Sequence, residues 1–416
     1  MRLVEALKKR QRNIFAVANA ISFSLSPILM SYLFIRYLDS NAIHEAIFIL
    51  TLINTIGLTL FLTVDLLVPR YLLDDDYSRT SIFLFSLRTN LIFATITFLV
   101  TSISLLLEKS TIINFCATFL YIYSMALFYT CRSVLGGSNQ FSRAFYLTSF
   151  DFLASVGIVG GIIAIGEIYF WSIFGGFALA RIVVSGLWCG WIYRKDQVTK
   201  RRDFTENLVC SKKLVKIIIN LAIVSAGSLT LNNLPILLIS KSSISDTYLI
   251  QIVVLIQIIR GLIQLLSGVS NRSMNVLNEI HLKISNLTVK RVLAINTKII
   301  VITFCALLSI FSWKGNDIIG IYTSQNVTFN IVVFTLVLIN ESLLYIFGIL
   351  RLILISIGRV SILSAVIGAT VLSLMVSWIF LNESNMGILY SVTISTLLGL
   401  AGLYFFSFLS KNPSKN

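Results

Sequence analysis

Apolar runs long enough to cross a bilayer recur along the whole of this sequence, and no other feature constrains its fold as strongly. A helix needs roughly 20 consecutive apolar residues to span the hydrocarbon core, because each residue adds about 1.5 Å to its length. Hydrophobic residues make up 56% of the 416 residues and charged residues only 12%, whereas soluble domains carry about 25% charged residues. The sequence therefore predicts an all-α polytopic membrane protein.

Twelve apolar spans fall into two sets of six. The predicted spans are 13–36, 43–67, 81–106, 111–135, 143–166, 168–193, 215–240, 247–270, 292–313, 327–350, 359–381 and 386–410. The longest polar stretch separates the sixth span from the seventh. This pattern predicts an N-terminal six-helix bundle (1–193), a basic cytoplasmic linker (194–214) and a C-terminal six-helix bundle (215–416).

The distribution of basic residues predicts the orientation of the chain. With the N-terminus in the cytoplasm, 26 of the 33 Lys and Arg residues lie on or beside cytoplasmic segments, 4 lie on the opposite side, and 3 lie inside spans. Cytoplasmic loops carry such an excess in membrane proteins, so both termini are predicted to be cytoplasmic. The net charge of +15 then reflects topology and attraction to anionic lipid headgroups, and no nucleic acid partner is expected.

Reporter fusions test this topology. We expect cytoplasmic reporter activity from fusions after Lys200 and after His281, and periplasmic activity from fusions near Lys109, Asp246 and Asn316, because the basic excess alternates from loop to loop. A periplasmic signal from the Lys200 fusion would contradict the division into six and six spans.

Pro27 and Pro235 occupy matching positions in spans one and seven, within SPILMS and LPILLIS. A proline in a helix interior removes a backbone hydrogen bond, and interrupted helices at corresponding positions in two halves mark the substrate path of transporters. The pair is therefore predicted to serve gating, with a tolerated kink in each helix as the alternative. Arg36 and Lys241 end the same two spans, and we predict that they line the cavity or, alternatively, anchor the helices at the interface.

A polar stripe crosses span eight near the middle of the membrane. Gln257, Arg260 and Gln264 follow helical spacing in QIVVLIQIIRGLIQ and share one face. A charge at the centre of a membrane helix costs at least about 2.5–3.5 kcal/mol, so it faces the bundle interior or a wet cavity. The stripe is predicted to contact substrate. The alternative is a buried arginine paired with a carboxylate.

Carboxylates inside spans suggest two different roles. Glu341 lies near the middle of span ten without an evident partner, and Asp65 lies near the cytoplasmic end of span two. Both are candidates for coupling transport to H⁺ or Na⁺. Asp151 and Arg181 lie at similar depths on consecutive spans and are predicted to form a structural ion pair. The scattered cysteines and histidines suggest neither a metal site nor a resident cofactor.

No catalytic motif is evident in the sequence. A P-loop, an HExxH motif and a Ser/His/Asp set are all absent, and the predicted outer loops are short. We therefore expect a transporter rather than an enzyme.

The chain resembles Wzx-type flippases of O-antigen repeat units, in the polysaccharide transporter branch of the multidrug/oligosaccharidyl-lipid/polysaccharide (MOP) exporter superfamily. The resemblance rests on the basic N-terminus, on FIRYLDSN (Phe34 to Asn41) and on LINTIGLTLFLTVDLLVPR (Leu52 to Arg70). It implies a V-shaped pair of bundles around a central cavity in the bacterial inner membrane. It also implies alternating access that moves an undecaprenyl-diphosphate-linked oligosaccharide from the cytoplasmic to the periplasmic leaflet.

Two alternatives remain open at this point. An O-antigen polymerase is a membrane enzyme with a similar number of spans, but it would bring a large outer loop. A drug/cation antiporter of the same superfamily would favour a carboxylate-rich cavity, whereas Arg260 favours an anion because its planar guanidinium matches phosphate. The resemblance further implies a role in lipopolysaccharide biosynthesis, action as a monomer, and a polysaccharide polymerase and chain-length regulator as partners.

Overall fold

The computed structural model is helical throughout the part of the chain that it describes. The described residues are 14–15, 18, 22, 25–71, 79–107, 110–137, 141–166, 168–196, 212–241, 246–279, 286–323, 327–356, 360–381 and 386–408. These ranges contain no β-strand. The prediction of an all-α protein is confirmed.

Twelve helices in the described ranges follow the twelve predicted spans. They are α1 (25–37), α2 (Ser40–Tyr71), α3 (Arg79–Leu107), α4 (Ile112–Gly137), α5 (Phe141–Ile165), α6 (Phe170–Asp196), α7 (Lys212–Lys241), α8 (Asp246–Glu279), α9 (Asn286–Tyr322), α10 (Ile331–Ser356), α11 (Val360–Leu381) and α12 (Gly387–Phe408). Helix α9 runs past the predicted end of its span, but its backbone leaves helical geometry at Lys314 (φ −123°, ψ 19°). The predicted span therefore ends at a kink, while the apolar segment continues to Tyr322.

Eight helices of the described part are long and apolar enough to cross a membrane. A ninth span is formed if the two apolar pieces of α7, Ile219–Gly227 and Leu231–Ser240, are taken together across the bend that joins them. Helices α8 and α11 contain shorter apolar segments, Thr247–Ile263 and Leu363–Ser377. The chain is a multi-pass membrane protein.

The chain divides into two compact units, Met1–Ala226 and Gly227–Asn416. The division falls inside α7, beyond the polar stretch 194–214, most of which lies outside the described residues. The first part of α7 packs with the N-terminal unit, since Leu221 belongs to the buried core of that unit.

The same helix packing occurs in both units. In the first unit, α4 contacts α2, α3, α5 and α6, and α5 packs against α6. In the second unit, α10 contacts α8, α9, α11 and α12, and α11 packs against α12. These pairs of the first unit thus have counterparts six helices along the chain, and the first unit adds a contact between α3 and α6. Such a repeat is typical of transporters built from duplicated bundles.

Candidate functional site

The side chain of Arg260 forms a two-point ion pair with Glu341 inside the second unit. Its Nη2 lies 2.7 Å from Oε1 of Glu341, and its Nε lies 3.1 Å from Oε2. Glu341 is buried, and 23% of the Arg260 side chain is exposed. Parallel charge-assisted hydrogen bonds of this kind are stronger than neutral ones and fix the plane of the guanidinium. Arg260 is therefore a partly buried arginine paired with a buried carboxylate, and Glu341 has a partner that the sequence did not reveal.

Helix α7 supplies two further acceptors to Arg260. Nη1 donates a hydrogen bond to Oδ1 of Asn233 at 3.2 Å, and Nη2 donates one to the backbone carbonyl of Asn232 at 2.9 Å. Asn233 is buried. Four of the five N–H groups of an arginine are thus bound by described residues. Neither asparagine was predicted from the sequence, although two adjacent amides just before a proline in an apolar span are a signal that could have indicated them.

Pro235 is structurally connected to this ion pair. Its ring replaces the N–H group and collides with the carbonyl of the residue four positions earlier, so the preceding turn opens. The carbonyl of Asn232 lies in that turn, three residues before Pro235, and accepts the hydrogen bond from Arg260. Interrupted membrane helices are tolerated where neighbouring groups satisfy the freed backbone. Pro235 leaves the carbonyl of Leu231 without its helical donor, and the carbonyl bound by Arg260 is the next one along the chain. The ion pair therefore lies beside the proline of α7.

Three further residues of the predicted cavity and gate lie within the described structure. Gln257 lies one turn before Arg260 and is half-buried, while Arg36 is exposed at the end of α1. Pro27 is half-buried within the helical range 25–37. The side chains of Gln264, Lys241 and Asp65 lie outside the described residues.

Helix α10 is held in place on both sides of Glu341. Asn340 donates a hydrogen bond to the carbonyl of Leu389 on α12 at 3.2 Å and also bonds with Thr393. One turn beyond Glu341, the hydroxyl of Tyr345 lies 3.1 Å from Oδ1 of Asn296 on α9. These bonds fix the position of Glu341 opposite Arg260.

The first unit contains its own buried ion pair, between Asp151 on α5 and Arg181 on α6. Nε of Arg181 lies 3.4 Å from Oδ2 of Asp151, and both residues are buried. The guanidinium also lies 5.2 Å from the ring centroid of Tyr121 and 5.5 Å from that of Phe128. Aromatic faces attract a cation at this distance. The pair thus has the packed surroundings that a structural role requires.

Comparisons with known proteins show the fold of this chain. No family model matches it, and no curated protein matches its sequence. Among solved structures, it is similar to a MATE transporter in complex with MaD5, with a TM-score of 0.68, 10% sequence identity, and coverage of 96% of this chain and 94% of the other. It is also similar to an outward-facing multidrug resistance MATE family transporter of the MOP superfamily, with a TM-score of 0.62, 12% identity, and coverage of 96% and 95%.

A MOP superfamily transporter from Pyrococcus furiosus, described as having a binding pocket of reversed polarity, is similar over 97% of both chains, with a TM-score of 0.61 and 12% identity. The chain therefore has the fold of MOP superfamily transporters over almost its entire length. TM-scores of 0.61–0.68 establish the fold, whereas identities of 10–12% carry no information about the substrate.

Proposed function

We propose that this chain is a transporter that uses alternating access to flip an undecaprenyl-diphosphate-linked oligosaccharide from the cytoplasmic to the periplasmic leaflet of a bacterial inner membrane. The shared fold supports transport. The ion pair between Arg260 and Glu341 is the observation that carries the choice of substrate. The proposal includes that the flippase acts as a monomer, with a polysaccharide polymerase and a chain-length regulator as partners.

The pairing of carboxylates argues against a drug/cation antiporter. A binding site for cations needs a carboxylate whose charge is not already balanced. Among the described side chains, the two carboxylates deep within spans are Asp151 and Glu341, and each is paired with an arginine. A paired carboxylate offers little net negative charge, so an anionic substrate is favoured over a cationic one.

The geometry of the pair suggests how a diphosphate would bind. Two N–H groups of Arg260 point at the two oxygens of Glu341, and the same planar fork matches two oxygens of a phosphate. A substrate phosphate would take over these N–H groups while a proton or Na⁺ balances Glu341. Asn232 and Asn233 would hold the guanidinium during the exchange, since they contact its other N–H groups.

A flipping assay tests the proposed function. Proteoliposomes that contain the protein and a fluorescent undecaprenyl-diphosphate oligosaccharide are treated with an external, membrane-impermeant glycosidase, and the protected fraction is measured over time. We expect that fraction to fall with the protein and to persist without it. Accumulation of ethidium without glycolipid flipping would instead establish the antiporter, and elongated glycan chains would establish the polymerase.

Glu341→Gln tests coupling to an ion gradient. Glutamine removes the negative charge that competes for Arg260, so we expect the glycolipid to bind at least as tightly as in the wild type. Flipping should no longer respond to an imposed H⁺ or Na⁺ gradient, because the group that takes up the cation is gone. Binding and gradient-driven flipping are measured in the same proteoliposomes. An unchanged gradient response would remove Glu341 from coupling.

The two prolines give a separate prediction. In Pro27→Ala/Pro235→Ala, we expect normal insertion, because removal of a proline from a membrane helix restores a backbone hydrogen bond. Flipping should slow, because the equilibrium between the two access states shifts. Protein level and flux are compared with those of Pro69→Ala, at a predicted span end. Wild-type flux in the double variant would contradict a gating role.

A further inference from the structure

Two cysteines on neighbouring helices of the first unit lie with their sulfurs in contact. Sγ of Cys131 on α4 lies 3.2 Å from Sγ of Cys189 on α6. Cys131 is fully buried and Cys189 is half-buried. The thiol of Cys131 also lies 3.6 Å from the carbonyl oxygen of Ser185, one helical turn before Cys189. These contacts hold the sulfur of Cys131 against α6 at the position where the second thiol lies.

Only a small movement would bring the two sulfurs within bonding distance. A disulfide has a sulfur–sulfur distance of about 2.05 Å, so the sulfurs must approach by roughly 1 Å. Helices α4 and α6 pack directly against each other, which keeps the thiols together while the unit remains folded.

The two thiols lie near the same end of their membrane spans. Cys131 precedes the end of the apolar segment Ile112–Leu135, and Cys189 precedes the end of Phe170–Ile192. The predicted orientation puts both ends at the cytoplasmic face. Trp188 flanks Cys189 there, as aromatic residues commonly do at the interface. Cytoplasmic thiols are kept reduced, so this position suits a bond that forms only during oxidation.

We propose that Cys131 and Cys189 form a peroxide-responsive dithiol. The half-buried thiol of Cys189 reacts first: its sulfur attacks one oxygen of hydrogen peroxide, the O–O bond breaks, and the product is a sulfenic acid and one water. Cys131 then attacks the sulfur of Cys189, the S–O bond breaks, and a second water leaves with the two remaining protons. Two thiols and one peroxide thus give one disulfide and two waters, and a cytoplasmic dithiol reductant restores the starting state.

The disulfide would join α4 to α6 covalently across 58 residues of sequence. The bond would lie entirely within the first unit. Oxidation would therefore fix the packing of α6 against α4, independently of any substrate.

The test uses the full chain with Cys116, Cys210 and Cys305 replaced by serine, so that only the pair remains. The purified protein is treated with hydrogen peroxide, and free thiols and intact mass are measured. We expect both thiols to disappear with a mass loss of about 2 Da, the two hydrogens removed, and to return after treatment with dithiothreitol. Peptide mapping should identify the bond between Cys131 and Cys189.

Single variants separate the two steps. Cys131→Ala should stop at a sulfenic acid on Cys189 that dimedone traps, whereas Cys189→Ser should leave Cys131 as a free thiol. A matched chain that keeps only Cys116 and Cys305, both exposed, should form no internal disulfide. Persistence of both thiols in the paired chain, under peroxide that oxidises Cys116 in the matched chain, would overturn the proposal. A bond that forms only between separate molecules would overturn it as well.

Discussion

Arg260→Ala should remove most of the folded protein from the membrane, and Glu341→Gln in the same chain should restore it. Without Arg260, the carboxylate of Glu341 is left buried and unbalanced, and breaking a buried ion pair in this way costs about 3–5 kcal/mol. A cost of that size is a large part of the net stability of a folded protein. The amount of protein in the membrane fraction and its profile in size-exclusion chromatography measure the effect.

Arg88→Ala provides the control for this experiment. Arg88 also lies within a span, but its side chain is exposed on α3, so its loss should leave the protein level unchanged. A normal level of Arg260→Ala would show that Glu341 is stable without its partner, and the ion pair would lose its role in folding.

The restored double variant also isolates the role of Arg260 in transport. Arg260→Ala/Glu341→Gln should be folded and yet unable to flip the glycolipid, because the donors for the diphosphate are gone. Arg260→Lys in the Glu341→Gln background should recover only part of the flux, since lysine keeps the charge without the planar pair of donors. Wild-type flux in the folded double variant would remove Arg260 from the substrate path.

The second large effect is expected at the ion pair of the first unit. Arg181→Leu alone should lose about 3–5 kcal/mol of stability, because it strands the buried Asp151. Asp151→Leu/Arg181→Leu should be as stable as the wild type or more stable, since apolar residues often replace a buried ion pair without loss. Thermal unfolding in detergent gives the comparison. Unlike the double variant at Arg260 and Glu341, this one should keep its flux.

Results that differ from these expectations would change the role assigned to Asp151 and Arg181. If Asp151→Leu/Arg181→Leu folds normally but fails to flip the glycolipid, the pair of the first unit takes part in transport. If the double variant remains unstable, the packing of Arg181 against Tyr121 and Phe128 contributes more than the charge pairing does.

Hydropathy predicted the helices well because a bilayer demands an unbroken apolar segment of defined length. The kink at Lys314 follows directly after the predicted end of span nine. The end of α8 was predicted less well, since the predicted span ends at residue 270 and the helix continues to Glu279. Backbone hydrogen bonds continue a helix beyond the bilayer as readily as within it, so apolarity marks only the membrane-embedded part.

The ion pairs were predictable only between helices that follow each other directly in the sequence. Asp151 and Arg181 lie on consecutive antiparallel helices, and consecutive elements are usually neighbours. Arg260 and Glu341 are 81 residues apart, and hydropathy contains no information about which distant helices pack together. Asn233 was missed for a related reason, because its role depends on a helix that contacts it only in the folded chain.

The ion pairs of the described residues do not follow the repeated packing of the two units. The first unit pairs its charges between α5 and α6, whereas the second pairs them between α8 and α10 and adds α7 through Asn233. The two units thus share a helix arrangement while each has its own polar chemistry. A chimaera with two copies of one half would therefore keep the helix arrangement but lack one of the two ion pairs.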